Sequence, residues 1–178
     1  MNERTSGLGS GIKFGLLSAV VYIVLIIIWY KALGNNPMML GMAKAVSYVI
    51  IIIIFFLAAY TRRKELGGYA TVKEIFGTVF IVILFAELSC GIFNYLYLRF
   101  IDPEYLQRFA VSTVEWMRQN GQDPERIKEF TEAARSQTET SFGIVLLDIA
   151  QKVIVSSIVG LLISFIMKRN NADRSAVI

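Results

Sequence analysis

Val49-Ile50-Ile51-Ile52-Ile53-Ile54-Phe55-Phe56-Leu57-Ala58-Ala59-Tyr60 is an unbroken apolar run. By propensity alone its isoleucines favour a β-strand. Followed back toward the N-terminus, the run reaches about Met38, with Lys44 the only charge in it. A hydrocarbon core of roughly 30 Å takes about 20 mostly apolar residues of helix. An isolated strand in lipid leaves its backbone groups unpaired, so the segment is read as a helix.

Three more segments fit the same description. Phe14 to Tyr30 holds no charge, about Ile75 to Phe100 holds Glu87, and about Phe142 to Met167 holds Asp148 and Lys152. The first has the makings of a signal peptide, with Arg4 and Lys13 in front and Ala32-Leu33-Gly34 behind. It is read as a retained helix because the run is long and ends in Trp29-Tyr30-Lys31, an interfacial anchor. The expected fold is all-α: an integral membrane four-helix bundle, residues 1–178 forming one transmembrane domain with helices at about 14–30, 38–60, 75–100 and 142–167.

Composition agrees with this class. Of 178 residues, 55% are apolar and 18% charged, against roughly 45–50% and 25% in soluble domains. With no histidine there is no imidazole base or ordinary zinc site. The single cysteine, Cys90, excludes an internal disulfide and a CxxC pair. A net charge of +4, scattered along the chain, gives no basis for nucleic-acid binding.

Basic residues set the orientation. Arg62, Arg63, Lys64 and Lys73 follow the second helix, Lys168, Arg169 and Arg174 follow the last, and Arg4 and Lys13 precede the first. Both termini are therefore expected in the cytoplasm of a multi-pass protein of the cell membrane. The connection 101–141 has five basic and eight acidic residues and belongs outside. In it Asp102-Pro103-Glu104 is echoed by Asp123-Pro124-Glu125, each an expected helix start with Asp as cap and Pro in the first turn. Asn120-Gly121 ends the first of these helices. The insertion is thus expected to be an extracytoplasmic helical hairpin between helices three and four. On the cytoplasmic side, Gly67-Gly68 permits a tight turn, and Thr71 and Glu74 have capping-box spacing before the third helix.

These parts, in this order, resemble the small bacterial four-helix membrane proteins grouped as domain of unknown function 4199. The resemblance covers nearly the whole chain. It rests on Gly68-Tyr69-x-Thr71-x-Lys73-Glu74, on Asn120-Gly121 and Pro124-Glu125 in the outer segment, and on Met167-Lys168-Arg169. It implies the topology and no activity, cofactor or catalytic residue.

Ionisable groups within a span are costly and mark a packed interior or a cavity. Glu87, Cys90, Gly91 and Asn94 share one face of the third helix. On the fourth, Asp148, Lys152, Ser156, Gly160 and Ser164 follow i+4 steps, with Gln151 beside them. Glu87, Asn94, Asp148, Gln151 and Lys152 form the candidate polar cluster, expected where the third and fourth helices meet. Ser156, Gly160 and Ser164, with Gly11 and Gly15 on a Gly7-Gly11-Gly15-Ala19 ridge, are the candidate small packing residues. At 1.5 Å per residue, Glu87 lies about 18 Å and Lys152 about 22 Å from the cytoplasmic ends of their helices, with Asn94 and Asp148 near 28 Å. Asp148 and Lys152 are the expected ion pair. Glu87 lacks a cation, so it is expected to be a neutral acid bonded to Asn94, Cys90, Tyr22 or Tyr48.

No nucleophile–base pair, metal cluster or cofactor motif appears, so no enzyme activity is expected. The eight acids of the outer segment fit helix caps, not a calcium loop. The function favoured is an accessory or structural membrane component whose partners are the bilayer and a second copy or a membrane protein. The alternative is a small proton-coupled transporter or channel component using Glu87, Asp148 and Lys152.

Overall fold

The computed structural model describes residues 7–34, 36–136 and 142–169. Helix α1 (Leu8–Ile28) runs on through a π-helical turn, Trp29–Leu33. Helix α2 is Pro37–Glu65, and α3 is Val72–Leu96 with a π-helical turn at Tyr97–Ile101. The shorter α4 (Tyr105–Gln119) and α5 (Pro124–Ser136) follow, then α6 (Phe142–Met167). Among the described residues there is no β-strand, only an isolated antiparallel bridge between Ala70 and Arg169.

The fold is that of an all-α membrane protein. Four helices, α1, α2, α3 and α6, are long and apolar enough to cross a membrane. Leu16, Val20, Val24, Ile53, Ile158 and Ile166 all point outward from them, an arrangement that fits lipid and not water. Helix α3 is the centre. Half of its apolar stretch is buried within the protein (50%), against 28% for α1, 33% for α2 and 22% for α6. It packs on all three of the others, and Ile75, Val79, Val82 and Ile83 on it are fully enclosed.

Local sequence sets the ends. Asn36 caps α2 by accepting from the backbone N–H groups of Met38 and Met39, and Pro37 occupies the first position. The helix stays wound through Arg62-Arg63-Lys64, cations well placed against the negative end of its dipole. Gly67 then takes φ +76°. Its N–H and that of Gly68 reach back to the carbonyls of Lys64 and Arg63, the paired bonds of a left-handed helix stop. The Thr71–Glu74 capping box forms in both directions. Gly121 (φ +66°) ends α4 in the same way, bonding to Arg118 while Gln122 bonds to Met117.

Two expectations change. Helix α1 begins at Leu8, not near Phe14, because the glycine-rich turn before Phe14 is held against α3: the Thr78 hydroxyl donates to the Gly7 carbonyl at 3.3 Å. The Asp-Pro-Glu echo is only half realised. Asp123 caps α5, accepting from the Glu125 N–H at 3.0 Å. Asp102 instead takes the Arg108 guanidinium at 2.6 Å, so 102–104 make a turn and α4 starts at Tyr105. Arg4, Arg174 and the end of the insertion at 137–141 lie outside the described residues.

Candidate functional site

Helix α6 reaches α3 through missing side chains. A Cβ on Gly160 would lie 2.8 Å from Ile83 Cδ1 and 3.1 Å from Val79 Cγ1. One on Gly91 of α3 would lie 2.3 Å from Ile149 Cγ1. Each helix therefore offers a notch to the other, and the backbones approach closely. Between the notches the Ser156 hydroxyl donates to Glu87 Oε1 at 2.6 Å. Glu87 is only 2% exposed. Its partner is thus Ser156, and not Asn94, Cys90, Tyr22 or Tyr48. Asn94 lies two turns further along α3, where its side-chain oxygen accepts from the Tyr30 hydroxyl of α1.

The i+4 series on α6 does not stay on one face. At 3.6 residues per turn each i+4 step rotates about 40°, so Asp148 and Ser164 are about 160° apart. Ser164 is fully buried, donating to the Gly160 carbonyl at 2.7 Å, whereas Asp148 and Gln151 are exposed. The Lys152–Asp148 pair forms, at 2.7 Å, on the outer surface of α6. The five candidate polar residues consequently divide into Glu87 with Ser156, Asn94 with Tyr30, and an outward-facing group of Asp148, Gln151 and Lys152.

Helix α1 meets α3 along Gly11 and Gly15, where Cβ atoms would fall 3.0 Å from Ile81 Cβ and 2.8 Å from Phe85 Cγ. The ridge continues through buried Ser18 and Tyr22 in place of Ala19. Ser18 turns its hydroxyl back to the Gly15 carbonyl at 2.7 Å, which removes its polarity from the contact.

At the α4 end of the molecule lies an aromatic knot that no local sequence pattern announces. Tyr30 stacks on Tyr97 with ring centres 4.7 Å apart and meets Tyr105 edge-on at 4.4 Å. Phe109 stacks against Tyr105 with ring centres 5.9 Å apart. The Tyr105 hydroxyl donates to the Gly34 carbonyl at 3.3 Å, and a Cβ on Gly34 would lie 2.6 Å from the Tyr105 ring. Nearby, Trp29 donates to Ser47 of α2 at 3.1 Å. Among the described residues, no three Asp, Glu or Cys side chains converge as a metal site.

A family model described as protein of unknown function, DUF4199, matches residues 11–169. The chain belongs to this family. The match takes in α3, α6, the outer helices and all of α1 beyond its first turn, so the Glu87–Ser156 contact lies within the family region. No curated protein and no solved structure matches the chain at a significant level.

The knot titrates in a readable direction. Burial pushes the Tyr105 phenol up to about 12, and the Asp102 carboxylate adds to the shift. A phenol held protonated beyond its ordinary value of 10.0 stabilises the fold fully below about pH 10, and that contribution is lost as pH rises through about 12. Limited proteolysis between pH 9 and 12 is expected to cut α4 and α5 increasingly. Tyr105→Phe should flatten that rise, and an unchanged profile would show that the knot does not govern it.

Proposed function

We propose that this membrane protein of unknown activity is a non-enzymatic accessory or structural component of the cell membrane. In this reading both termini are cytoplasmic, and α4 and α5 lie outside. The basic loop and tail residues Arg62, Arg63, Lys64, Lys73, Lys168 and Arg169 support that orientation. One observation carries the structural role: polar groups between the long helices are matched to protein partners. Glu87 pairs with Ser156, Asn94 with Tyr30, Thr78 with Gly7 and Trp29 with Ser47. Such bonds fasten helices to one another.

The fastening reading and proton coupling diverge at Glu87. Glu87→Gln keeps an oxygen for the Ser156 hydroxyl and removes the proton. We expect it to melt within about 0.5 kcal/mol of wild type from pH 5 to 9, in line with the size of interhelical hydrogen bonds. Purified protein in liposomes carrying an internal pH dye is expected to leave a proton gradient intact. A pH-dependent gap between the two melts, or wild-type proton flux lost in Glu87→Gln, would replace the structural role with transport. Washing membranes with alkaline carbonate tests the bilayer assignment separately, since an integral protein stays in the pellet.

A further inference from the structure

Helix α6 is the least enclosed of the four long helices, and its outer side carries a regular pattern. Ile144, Leu147, Gln151, Ile154, Ile158 and Leu161 alternate steps of three and four residues, and all are exposed. The apolar ones among them are between 40% and 65% exposed. Residues spaced in this way line up as one seam, the a and d positions of a heptad. The seam lies on the far side of α6 from Val145 and Ile149, which are buried in the protein.

Aliphatic side chains suit lipid, whereas Gln151 does not. Helix α6 has 26 residues, so it is roughly 39 Å long, with Gln151 about 14 Å from its Phe142 end. That depth is well inside a hydrocarbon core of about 30 Å. The stem of a glutamine is shorter than those of the lysines and arginines that reach back to the headgroups. Among the described residues its side-chain amide has no hydrogen-bond partner. Its neighbours Asp148 and Lys152 satisfy each other at 2.7 Å. An amide left unbonded in hydrocarbon is costly, and a polar residue at a single a position of an apolar seam is how paired helices fix their register.

We infer that α6 is the seam of a parallel homodimer: a second copy of this chain covers the stripe, and the two Gln151 side chains hydrogen-bond to each other across a two-fold axis along the membrane normal. The inference rests on the membrane-spanning reading, which carbonate extraction tests independently. Copies inserted in one orientation carry their α6 helices in the same direction, so each seam position meets itself at equal depth. Charge complementarity favours a second copy. A glutamine amide carries both donor and acceptor, so the N–H group of each Gln151 can face the oxygen of the other. Asp148 flanks the seam beside Leu147 and holds Lys152 through Oδ2, which leaves its other oxygen as an acceptor for the partner's Gln151. The heptad spacing gives the pair a left-handed crossing.

Energy transfer between donor-labelled and acceptor-labelled copies of the full chain in phosphatidylcholine liposomes, read against the protein-to-lipid ratio, tests this. Wild type should self-associate. Gln151→Leu should raise the dissociation constant about tenfold, the scale of polar contacts between helices in membranes. Folding should survive that change, because the side chain is exposed and bonds nothing in its own chain. Oxidative cross-linking adds a readout of position. In a Cys90→Ser background, Ile154→Cys on the seam should give a disulfide-linked dimer much faster than Leu146→Cys, which is exposed away from it. Wild type that stays monomeric at every ratio would overturn the dimer, as would equal association of Gln151→Leu or equal cross-linking at the two positions. Cross-linking of Ile154→Cys in cell membranes to a different protein, and not to itself, would assign the stripe to that protein and likewise overturn the homodimer.

Discussion

Tyr105→Ala is expected to cost about 3–5 kcal/mol, the range for removing a buried aromatic side chain, and to release α4 and α5 from the long helices. Tyr105 is 4% exposed and its ring meets both Tyr30 and Phe109, close over Gly34, where an added Cβ would lie 2.6 Å from it. Helix α5 packs chiefly on α4, and α4 has few other footholds, its contact with α2 being slight. Removing the ring should therefore lower the melting temperature and make 101–136 readily cleaved while the long helices remain together. Tyr105→Phe keeps the ring and loses only the bond to Gly34, so it should cost about 0.5–1.5 kcal/mol. If Tyr105→Ala leaves the outer helices as protease-resistant as before, the aromatic cluster does not hold them.

The second large effect concerns the glycine face of α1. Gly15→Leu should destabilise the protein by about 1–3 kcal/mol or more, the cost of overpacking a filled interior. The obstruction is Phe85 at its Cβ and Cγ, 3.0 and 2.8 Å from the added carbon. Atoms so near the backbone cannot swing aside as a side-chain tip can, so α1 must move off α3. Gly9→Leu, on the same helix with open space around it, should fold normally in lipid and gain slightly in helix propensity. Equal melting of the two variants in detergent would mean that α1 does not depend on close approach.

Much of this was legible beforehand because lipid allows so few backbone solutions. Length and hydropathy place the C-terminal end of α6 at Met167, and cap residues place the starts of α3 and α5. The failures have physical causes. Asp102 looks like a cap, but Arg108 lies six residues away, beyond any capping pattern, and captures it. Asp148 and Lys152 share an i+4 stripe with Ser164, yet a straight stripe on paper winds around a real helix, so one end faces the surface and the other the core. The partner of Glu87 was within reach of simple counting: Ser156 is about 17 Å from the cytoplasmic end of α6, the depth already assigned to Glu87 from α3. Ser156 is at once a small packing residue and a hydroxyl donor, and the i+4 pattern shows only the first of these. The Tyr30–Tyr97–Tyr105 knot joins three elements far apart in sequence, and no local pattern announces such a meeting.

The packing of α1 on α3 also constrains biogenesis. As the chain enters the membrane, the first segment precedes the helix it fits best by one intervening helix, and that early neighbour, α2, offers a much smaller contact. The glycine groove stays unfilled until Ile81 and Phe85 arrive. The contact between α1 and α2 leaves that groove open, so the close packing of α1 is completed only by the third long helix.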